Sequence, residues 1–544
     1  MIAPTRATGG YRWYVLGLMT LVYAFNFIDR QIVTILAPFL KADLGLTDAQ
    51  VGLLYGTAFA LFYALFGLPL ARLADGWHRV RTLALGLGFW SAMTLVSGTT
   101  GSFAQLALAR MGVGIGEASA TPSAFSLLQD YFPKAQRATA LAIYSSGIYL
   151  GIGASLMIGG GIVAGWDAAF AGARAPMGLA GWQAAYLLIG APGILLAILV
   201  ATTVREPVRG AIDGHGQAGD PHPFRAAFTE MAAITPLFAS LSLRRLGARG
   251  RGVMLNALLL AACLGGAVLL VALTDAALTP AKRAVVMTVG GAAVTTNMVQ
   301  WGAIAIGVYA TGSWVQSIRL RDPVTARLVI GTPSFMALAI GGGLLSFGSY
   351  GLSAFIFLYG KTYLGLAAGD GFTLGAIAAV AGGAGTALGG VIADAWRRRH
   401  PAGRLHVAMA AATLSGLFSL WQYTTPDIAS FYVACFCATL SLTMWIGPVM
   451  ASCQDQVLPR MRGTATALQF LATNLIGLGL GPYMIGLVSD ATGDLRFAML
   501  AALATIPLVV GLFWFAARRL PDAEASLSAR AAAAAGEPVN RPRS

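Results

Sequence analysis

Charge is what this chain has least of. Asp, Glu, Lys and Arg make up 11% of its 544 residues, against about 25% in an average soluble chain, while 57% are hydrophobic. A chain so composed cannot cover a globular surface in water. Cysteine is scarce too: the four (Cys263, Cys435, Cys437, Cys453) lie in or beside apolar runs without metal-ligand spacing. Buried or lipid-facing thiols are expected, not disulfides or a metal site. No short apolar run followed by a small-residue cleavage site opens the chain, so no removable signal peptide is expected. Walker motifs, phosphorylatable Asp loops and a credible catalytic constellation are missing as well. ATP is therefore not the expected energy source, an enzyme is not expected, and no cofactor is implied.

What is present is a series of membrane-length apolar runs, the mark of an all-α polytopic membrane protein. Helices are predicted at about 13–39, 50–72, 82–99, 103–128, 138–164 and 183–203, and again at about 333–361, 372–393, 404–424, 428–450, 463–488 and 496–517. Two further runs, 253–273 and 285–312, lie between the sets, giving about fourteen transmembrane helices as six plus two plus six. The expected organisation is a cytoplasmic N-terminus (1–12), a six-helix bundle (13–204), a linker (205–252), an inserted helix pair (253–312), a second linker (313–332), a second bundle (333–518) and a disordered cytoplasmic tail (519–544). The net charge of +14 is topological rather than a nucleic-acid footprint. Of 36 Lys and Arg, two fall inside the predicted helices, six in one set of connections and the remaining 28 in the alternate connections and tails. That asymmetry puts both termini in the cytoplasm of a multi-pass inner (plasma) membrane protein.

The two sets of six repeat each other. Ala71-Arg-Leu-Ala-Asp75-Gly-Trp77-His-Arg79-Val-Arg81 follows the second helix, and Gly390-Val-Ile-Ala-Asp394-Ala-Trp396-Arg-Arg398-Arg399 the matching one. Pro133-Lys-Ala-Gln-Arg137-Ala-Thr139 is likewise answered by Pro459-Arg-Met-Arg462-Gly-Thr464, with offsets of 319 and 325 residues. Duplicated six-helix units with substrate at their interface are the architecture of a large class of secondary transporters.

These loops resemble the signature Gly-x-Leu-Ala-Asp-Arg-x-Gly-Arg-Arg of the major facilitator superfamily. The copy at Gly390 is close; the copy at Ala71 has Ala for the first Gly and His78 for the second. Asn26-Phe-Ile-Asp29-Arg30, Arg110-Met-Gly-Val-Gly-Ile-Gly-Glu117 and Arg205-Glu206-Pro207 are similar to motifs of its Spinster-like branch. The superfamily resemblance implies two six-helix bundles; the inserted pair departs from its usual twelve helices. The Spinster resemblance implies a proton-linked carrier in which the acids matching Asp29 and Glu117 are central, with lysophospholipids or sphingolipid phosphates as substrate class.

The residues themselves lead the same way. Asp29, Arg30, Arg110 and Glu117 are the charges well inside the twelve core helices, all in the first half. An intramembrane charge costs about 2.5–3.5 kcal/mol even on lenient scales, so such groups default to function. Arg110 and Glu117, seven apart, share a helix face roughly 10 Å apart, whereas adjacent Asp29 and Arg30 point about 100° apart. Cross-helix pairing could merely lock helices one and four together. Alternatively, Asp29 and Glu117 carry the coupling proton: burial disfavours a carboxylate and a nearby guanidinium favours it, so a movement that parts acid from base changes its protonation. Arg30 and Arg110 would pair an anionic head group. Asn26, Phe347, Tyr350, Phe355, Trp445 and Asn474 would line the rest of the cavity, with an apolar wall opposite the charged one. Asp75, Arg79, Arg81, Asp394 and Arg398 are candidates for a cytoplasmic gate, capping helix ends and pairing across the gap; their plainer role is topological.

Two motifs mislead. His215-Gly-Gln-Ala-Gly-Asp220 has acyltransferase-like spacing but lies in a Gly-rich linker, and Gly112-Val-Gly-Ile-Gly116 has no preceding strand to make it a nucleotide loop. Gly147-x-x-x-Gly151 and Gly477-x-x-x-Gly481 have the spacing of close helix crossings. The expected partners are an amphipathic small molecule and the lipid bilayer, with no nucleic acid and no required oligomer. A multidrug or small organic anion exporter, or an uncoupled facilitator, is the alternative.

Overall fold

The structure, a computed structural model, describes residues 9–171, 175–210, 212, 220–236 and 238–535. Residues 1–8, His215 of the misleading spacing and 536–544 of the tail lie outside that set. The first half comprises α1 (Gly9–Leu44), α2 (Asp48–Tyr55), α3 (Thr57–Gly76), α4 (Arg79–Ser97), α5 (Phe103–Glu117), α6 (Ala120–Tyr131), α7 (Lys134–Ala169) and α8 (Gly181–Thr203). Next come α9 (Pro223–Ile234), α10 (Phe238–Arg245), α11 (Gly250–Ala276), β1 (Val285–Val289), β2 (Ala292–Thr295), α12 (Thr296–Arg321) and α13 (Pro323–Val329). The second half is α14 (Pro333–Leu364), α15 (Gly371–Arg397), α16 (Gly403–Thr424), α17 (Ile428–Thr443), α18 (Ile446–Asp455), α19 (Arg462–Ala472), α20 (Gly481–Thr492), α21 (Leu495–Ala502), α22 (Ile506–Ala525) and α23 (Leu527–Ala535). A π-helical segment, Thr473–Leu478, joins α19 to α20.

Ten spans among the described residues are long and apolar enough to cross a membrane by length and composition. α1, 36 residues long, is not one of them, because Asn26–Gln31 interrupts its apolar run. Corresponding helices break at corresponding places: α5 gives way to α6 after Glu117, and α17 to α18 after Thr443.

Two expectations change, and the linkers prove to contain helices. The run 285–312 is not one helix: β1 and β2 pair antiparallel, Val289 against Ala292, and α12 begins only at Thr296. Gly290 and Gly291 both have positive φ, 57° and 85°, the conformation a tight two-residue hairpin demands, and Val285, Val286, Thr288, Val294 and Thr295 favour strand. The linkers contain structure, since α9, α10 and α13 fall within 205–252 and 313–332. The tail is helical to Ala535. Its Leu-Ser-Ala-Arg-Ala run favours helix, and Arg530 ties it down by donating to Thr332 Oγ1 at 2.7 Å.

The helices gather into two compact units. One holds the chain to Leu46, Ala58–Met231 and Gly360–Ala379; the other holds Thr47–Thr57, Ala232–Tyr359 and Val380 onward. In the first, α1 runs along α7 at Gly147 and Gly151, where a Cβ would lie 2.7 Å from Thr20 O and 2.4 Å from Ala24 O. The second has α16 against α17 and α22, the pair α11–α12, and α2 packed on α20. Gly477 and Gly481 there bring their segment against Ser346 and Phe347 of α14.

Candidate functional site

The first unit takes charge into its interior on α1. Asn26, Asp29 and Arg30 are 2%, 1% and 6% exposed, and Arg110 and Glu117 of α5 are 0% exposed. Adjacent on a helix, Asp29 and Arg30 diverge as expected. Asp29 lies among Glu117, Arg110, Thr94 and Trp90. Arg30 turns toward α3 and the end of α5, donating to Glu117 Oε2 at 3.0 Å and to Asn26 Oδ1 at 3.4 Å.

Its guanidinium also lies 4.7, 4.4 and 5.0 Å from the ring centres of Phe27, Phe59 and Tyr63. Three aromatic faces around one cation are worth about 0.5–2 kcal/mol each, and the planar guanidinium suits stacking and carboxylate pairing together. Sequence reading missed this cage. Its one signal was Phe59 and Tyr63 four apart on α3, indistinguishable from ordinary packing.

Arg110 is committed elsewhere than its expected head-group role. It donates to the main-chain carbonyls of Asp29 (2.7 Å) and Arg30 (3.3 Å). Ser155 of α7 donates to Ile28 O at 3.0 Å, so three consecutive α1 carbonyls accept from other helices. These bonds pin α1 against α5 and α7. Arg110 is fully buried in this arrangement.

Glu117 reaches Arg30 because α5 can come close to its neighbours. A Cβ on Gly114 would lie 2.6 Å from Phe59 O, and one on Gly116 would lie 2.8 Å from Gly86 O. The Gly112-x-Gly114-x-Gly116 ladder is thus a helix-packing device. Within the cluster, Asp29 Oδ1, Glu117 Oε1, Asn26 Nδ2 and Arg110 Nε have no hydrogen-bond partner among the described residues.

The expected apolar wall lies in the second unit and is narrower than expected. Phe355 is 0% exposed within that unit's core; five residues past Tyr350, it points about 140° away round α14. Trp445 and Asn474 are buried too, Trp445 resting on Gly342 of α14 and Asn474 donating to Phe470 O at 2.8 Å. Phe347 and Tyr350 are half-buried.

The two copies of the Asp-loop motif have diverged. Arg79, 1% exposed, meets Glu206 Oε1 at 2.6 Å, Asp130, Ser126 O at 3.1 Å and Pro207 O at 2.9 Å. Glu206 also accepts from Val80 N at 3.0 Å, and Arg209 donates to the carbonyls of Ala74 and Trp77 at 2.6 Å each. The segment after α8 therefore caps the end of α3 and the start of α4 together. Asp75 lies near Arg209, Arg72 and Arg79, and Arg81 is exposed. Burial and Arg79 hold the Arg209 guanidinium below its usual pKa. In the second unit Asp394 pairs with Arg404 at 2.9 Å, and Arg404 with Asp455 at 2.6 Å, leaving Arg398 exposed. Asp130, Glu206, Arg209, Arg404 and Asp455 were not picked out as gate residues from sequence. Among the described residues no group of His, Cys, Asp and Glu could hold a metal ion.

The model of the Major Facilitator Superfamily matches residues 19–482. The chain belongs to that superfamily. It is therefore a multi-pass membrane transporter rather than an enzyme. It is similar to an MFS-type efflux pump of Mycolicibacterium smegmatis, 25% identical over 516 residues and 93% of each chain. It is also similar to protein spinster homolog 1 of Bos taurus, 24% identical over 496 residues, 89% of this chain and 74% of that one. Among solved structures, a bacterial homolog of the human lysosomal transporter Spinster, inward-facing and unoccupied, matches with a TM-score of 0.67 and 26% identity over 95% of this chain and 99% of that one.

Proposed function

We propose that this transporter is a proton-coupled secondary carrier of an amphipathic anion, of lysophospholipid or sphingolipid-phosphate type, working by alternating access in the inner (plasma) membrane with both termini cytoplasmic. The observation that carries the reading is the buried cluster on α1 and α5. Two acids and two bases sit where a lone charge is costly, and each acid keeps one oxygen without a donor. Arg110 is fixed on α1, so the adjustable pair is Arg30 with Glu117. An anionic head group that competes for Arg30 releases Glu117 to take a proton, and losing that proton restores the pair. The aromatic cage keeps Arg30 in position during the exchange. Phe347 and Tyr350 are the members of the expected apolar wall with surface to offer a chain. The lysine and arginine distribution supports the orientation, and the substrate class is what the resemblance of the Asn26–Arg30, Arg110–Glu117 and Arg205–Pro207 motifs to the Spinster-like branch implies.

The similar efflux pump, aligned along nearly the whole of both chains, favours one second reading, export of drugs or small organic anions. Transport into proteoliposomes under an imposed pH gradient separates the two. Uptake of a lysophospholipid or a sphingoid phosphate that collapses with a protonophore supports the first reading. Gradient-driven movement of drugs with no movement of lipid replaces it with the second. Transport indifferent to the gradient removes coupling from both.

A further inference from the structure

The inserted pair brings polar groups into an apolar region, where unpaired ones are costly. In the second unit α12 buries Asn297, Gln300 and Trp301, at 3%, 0% and 7% exposure. Tyr483 of α20 donates to Asn297 Oδ1 at 2.7 Å, while Asn297 Nδ2 donates to Asp275 Oδ1 of α11 at 2.6 Å. The Trp301 ring stands edge-on to Tyr483, centroids 5.8 Å apart, and its Nε1 donates to Thr274 Oγ1 at 3.2 Å. Through these contacts the inserted pair is moored to α20.

The same junction holds the start of α2. Asp490, near the end of α20, accepts from the main-chain N–H groups of Asp48 (3.0 Å) and Ala49 (2.8 Å). Ser489 donates to Asp48 Oδ2 at 2.6 Å. Between the two anchorages lies Gly479 O, which accepts from two sources. Thr57 Oγ1, on the first residue of α3 and one residue beyond the Gly56 joint that ends α2, lies at 2.5 Å, and Gln300 Nε2 from the inserted α12 lies at 2.9 Å. The chain geometry exposes carbonyls here: Gly479 N bonds Asn474 O, five residues back, at 2.7 Å, and Pro482 has no N–H to donate.

We infer that Gln300 is a positioning residue of the transport cycle, a stand-in donor that keeps Gly479 O paired when Thr57 leaves. The inference rests on the alternating-access reading, in which α2 of the first repeat must part from α20 of the second. Mooring through Asn297 and Trp301 keeps the insert on α20 when α2 withdraws. Gly479 O then has two donors while α2 is docked and one after it parts. Without Gln300 it has one and then none, so the parted state alone is penalised. Removing the Thr57 hydroxyl has the opposite sign, since it weakens the docked state alone. Only a difference between the states can move their balance.

The test uses the full chain in lipid nanodiscs, depleted of its native cysteines, with spin labels at the exposed positions Ala42 and Ala491. The ratio of long- to short-distance populations measures parted against docked. Gln300→Met, which keeps length without a donor, is expected to lower that ratio roughly three- to fifteenfold and to slow transport. Thr57→Val should raise it about threefold, and the double variant should return toward wild type. Asn297→Leu, which loses the bonds to Tyr483 and Asp275 together, should have the larger effect, and Tyr483→Phe, which loses one of the same two bonds, should add little to it. Equal signs for Gln300→Met and Thr57→Val, or unchanged distances in variants that elute and melt as wild type, overturn the inference. A distance distribution indifferent to pH, with the opposite signs intact, counts against proton coupling alone.

Discussion

Protonating Glu117 turns a neutral cluster into one of net charge +1. Asp29, Glu117, Arg30 and Arg110 sum to zero with both acids ionised, and none of the four is more than 6% exposed. An uncompensated charge at that depth costs about 2.5–3.5 kcal/mol, so the proton is held favourably only when an anion arrives with it. Binding that takes up one proton per anion changes the dissociation constant tenfold per pH unit, about 1.4 kcal/mol. On the proposed coupling the anion-bound form carries the extra proton, so affinity is expected to fall as pH rises. Glu117→Gln supplies the +1 state permanently, and its amide oxygen still accepts from Arg30, which keeps the guanidinium in its cage. The variant should bind the anion with no pH slope, and at alkaline pH more tightly than wild type. Calorimetry on purified protein, stepping one pH unit at a time in two buffers of different ionisation enthalpy, counts the proton directly. A flat wild-type profile, or a tenfold step that survives in Glu117→Gln and in Asp29→Asn alike, would refute the charge-balance reasoning. A step that survives in Glu117→Gln but disappears in Asp29→Asn moves the proton to Asp29.

Three further outcomes follow from the packing. Arg79→Ala strands Asp130 and Glu206 and should destabilise the protein by about 3–5 kcal/mol; Arg79→Lys should rescue little, because one ammonium cannot reproduce the guanidinium's several bonds. Both are read as melting shifts in detergent. Arg404→Gln breaks the matching contacts of the second copy, where Asp394 is 62% and Asp455 36% exposed, and should cost less than about 1 kcal/mol. Equal losses from Arg79→Ala and Arg404→Gln would contradict the divergence described between the two copies. Gly114→Ala places a Cβ 2.6 Å from Phe59 O, costs about 1–3 kcal/mol and should weaken anion binding by pushing Glu117 away from Arg30; unchanged affinity in a destabilised variant would uncouple the glycine ladder from the site.

How much of this was legible in the sequence depended on contrast. Asp29, Arg30, Arg110 and Glu117 stood out because charge is conspicuous in an apolar run, and their convergence follows from helix periodicity and one crossing. The cage around Arg30 had no contrast, since Phe27, Phe59 and Tyr63 are ordinary residues for a membrane helix until a cation is set among them. Arg79 was visible as a motif residue, but its partners are 51 and 127 residues away, and only the fold brings them near. Arg110 was visible as a charge, but its bonds to the carbonyls of Asp29 and Arg30 were not, because nothing in a sequence separates an arginine that faces a ligand from one that faces a backbone. The hairpin was hidden by its composition: Val-Val-Met-Thr-Val and Ala-Ala-Val-Thr are as apolar as a helix, and Gly290-Gly291 was the turn signal to read.

The repeat reaches deeper than the loops that revealed it. The chain passes from the second unit to the first between Thr57 and Ala58, and from the first to the second between Ala379 and Val380. Ala58 and Val380 are 322 residues apart, within the 319–325 spacing of the duplicated motifs. Equivalent helices therefore divide between the units at equivalent points. α2 packs on α20 in the second unit, and the start of α15 packs on α7 in the first, Gly375 lying against Gly153. Gly56 marks the joint between α2 and α3, with φ −99° and ψ −87°, so the two can reorient at one residue. If the cycle exchanges these partnerships, the contacts to break at α2 are the helix-end hydrogen bonds of Asp48 and Ala49 with Ser489 and Asp490, one hydroxyl on Gly479 O, and a glycine-lined crossing at Gly52. Interdigitated side chains would resist such parting far more. On that argument these two small-residue crossings set how easily such an exchange would run.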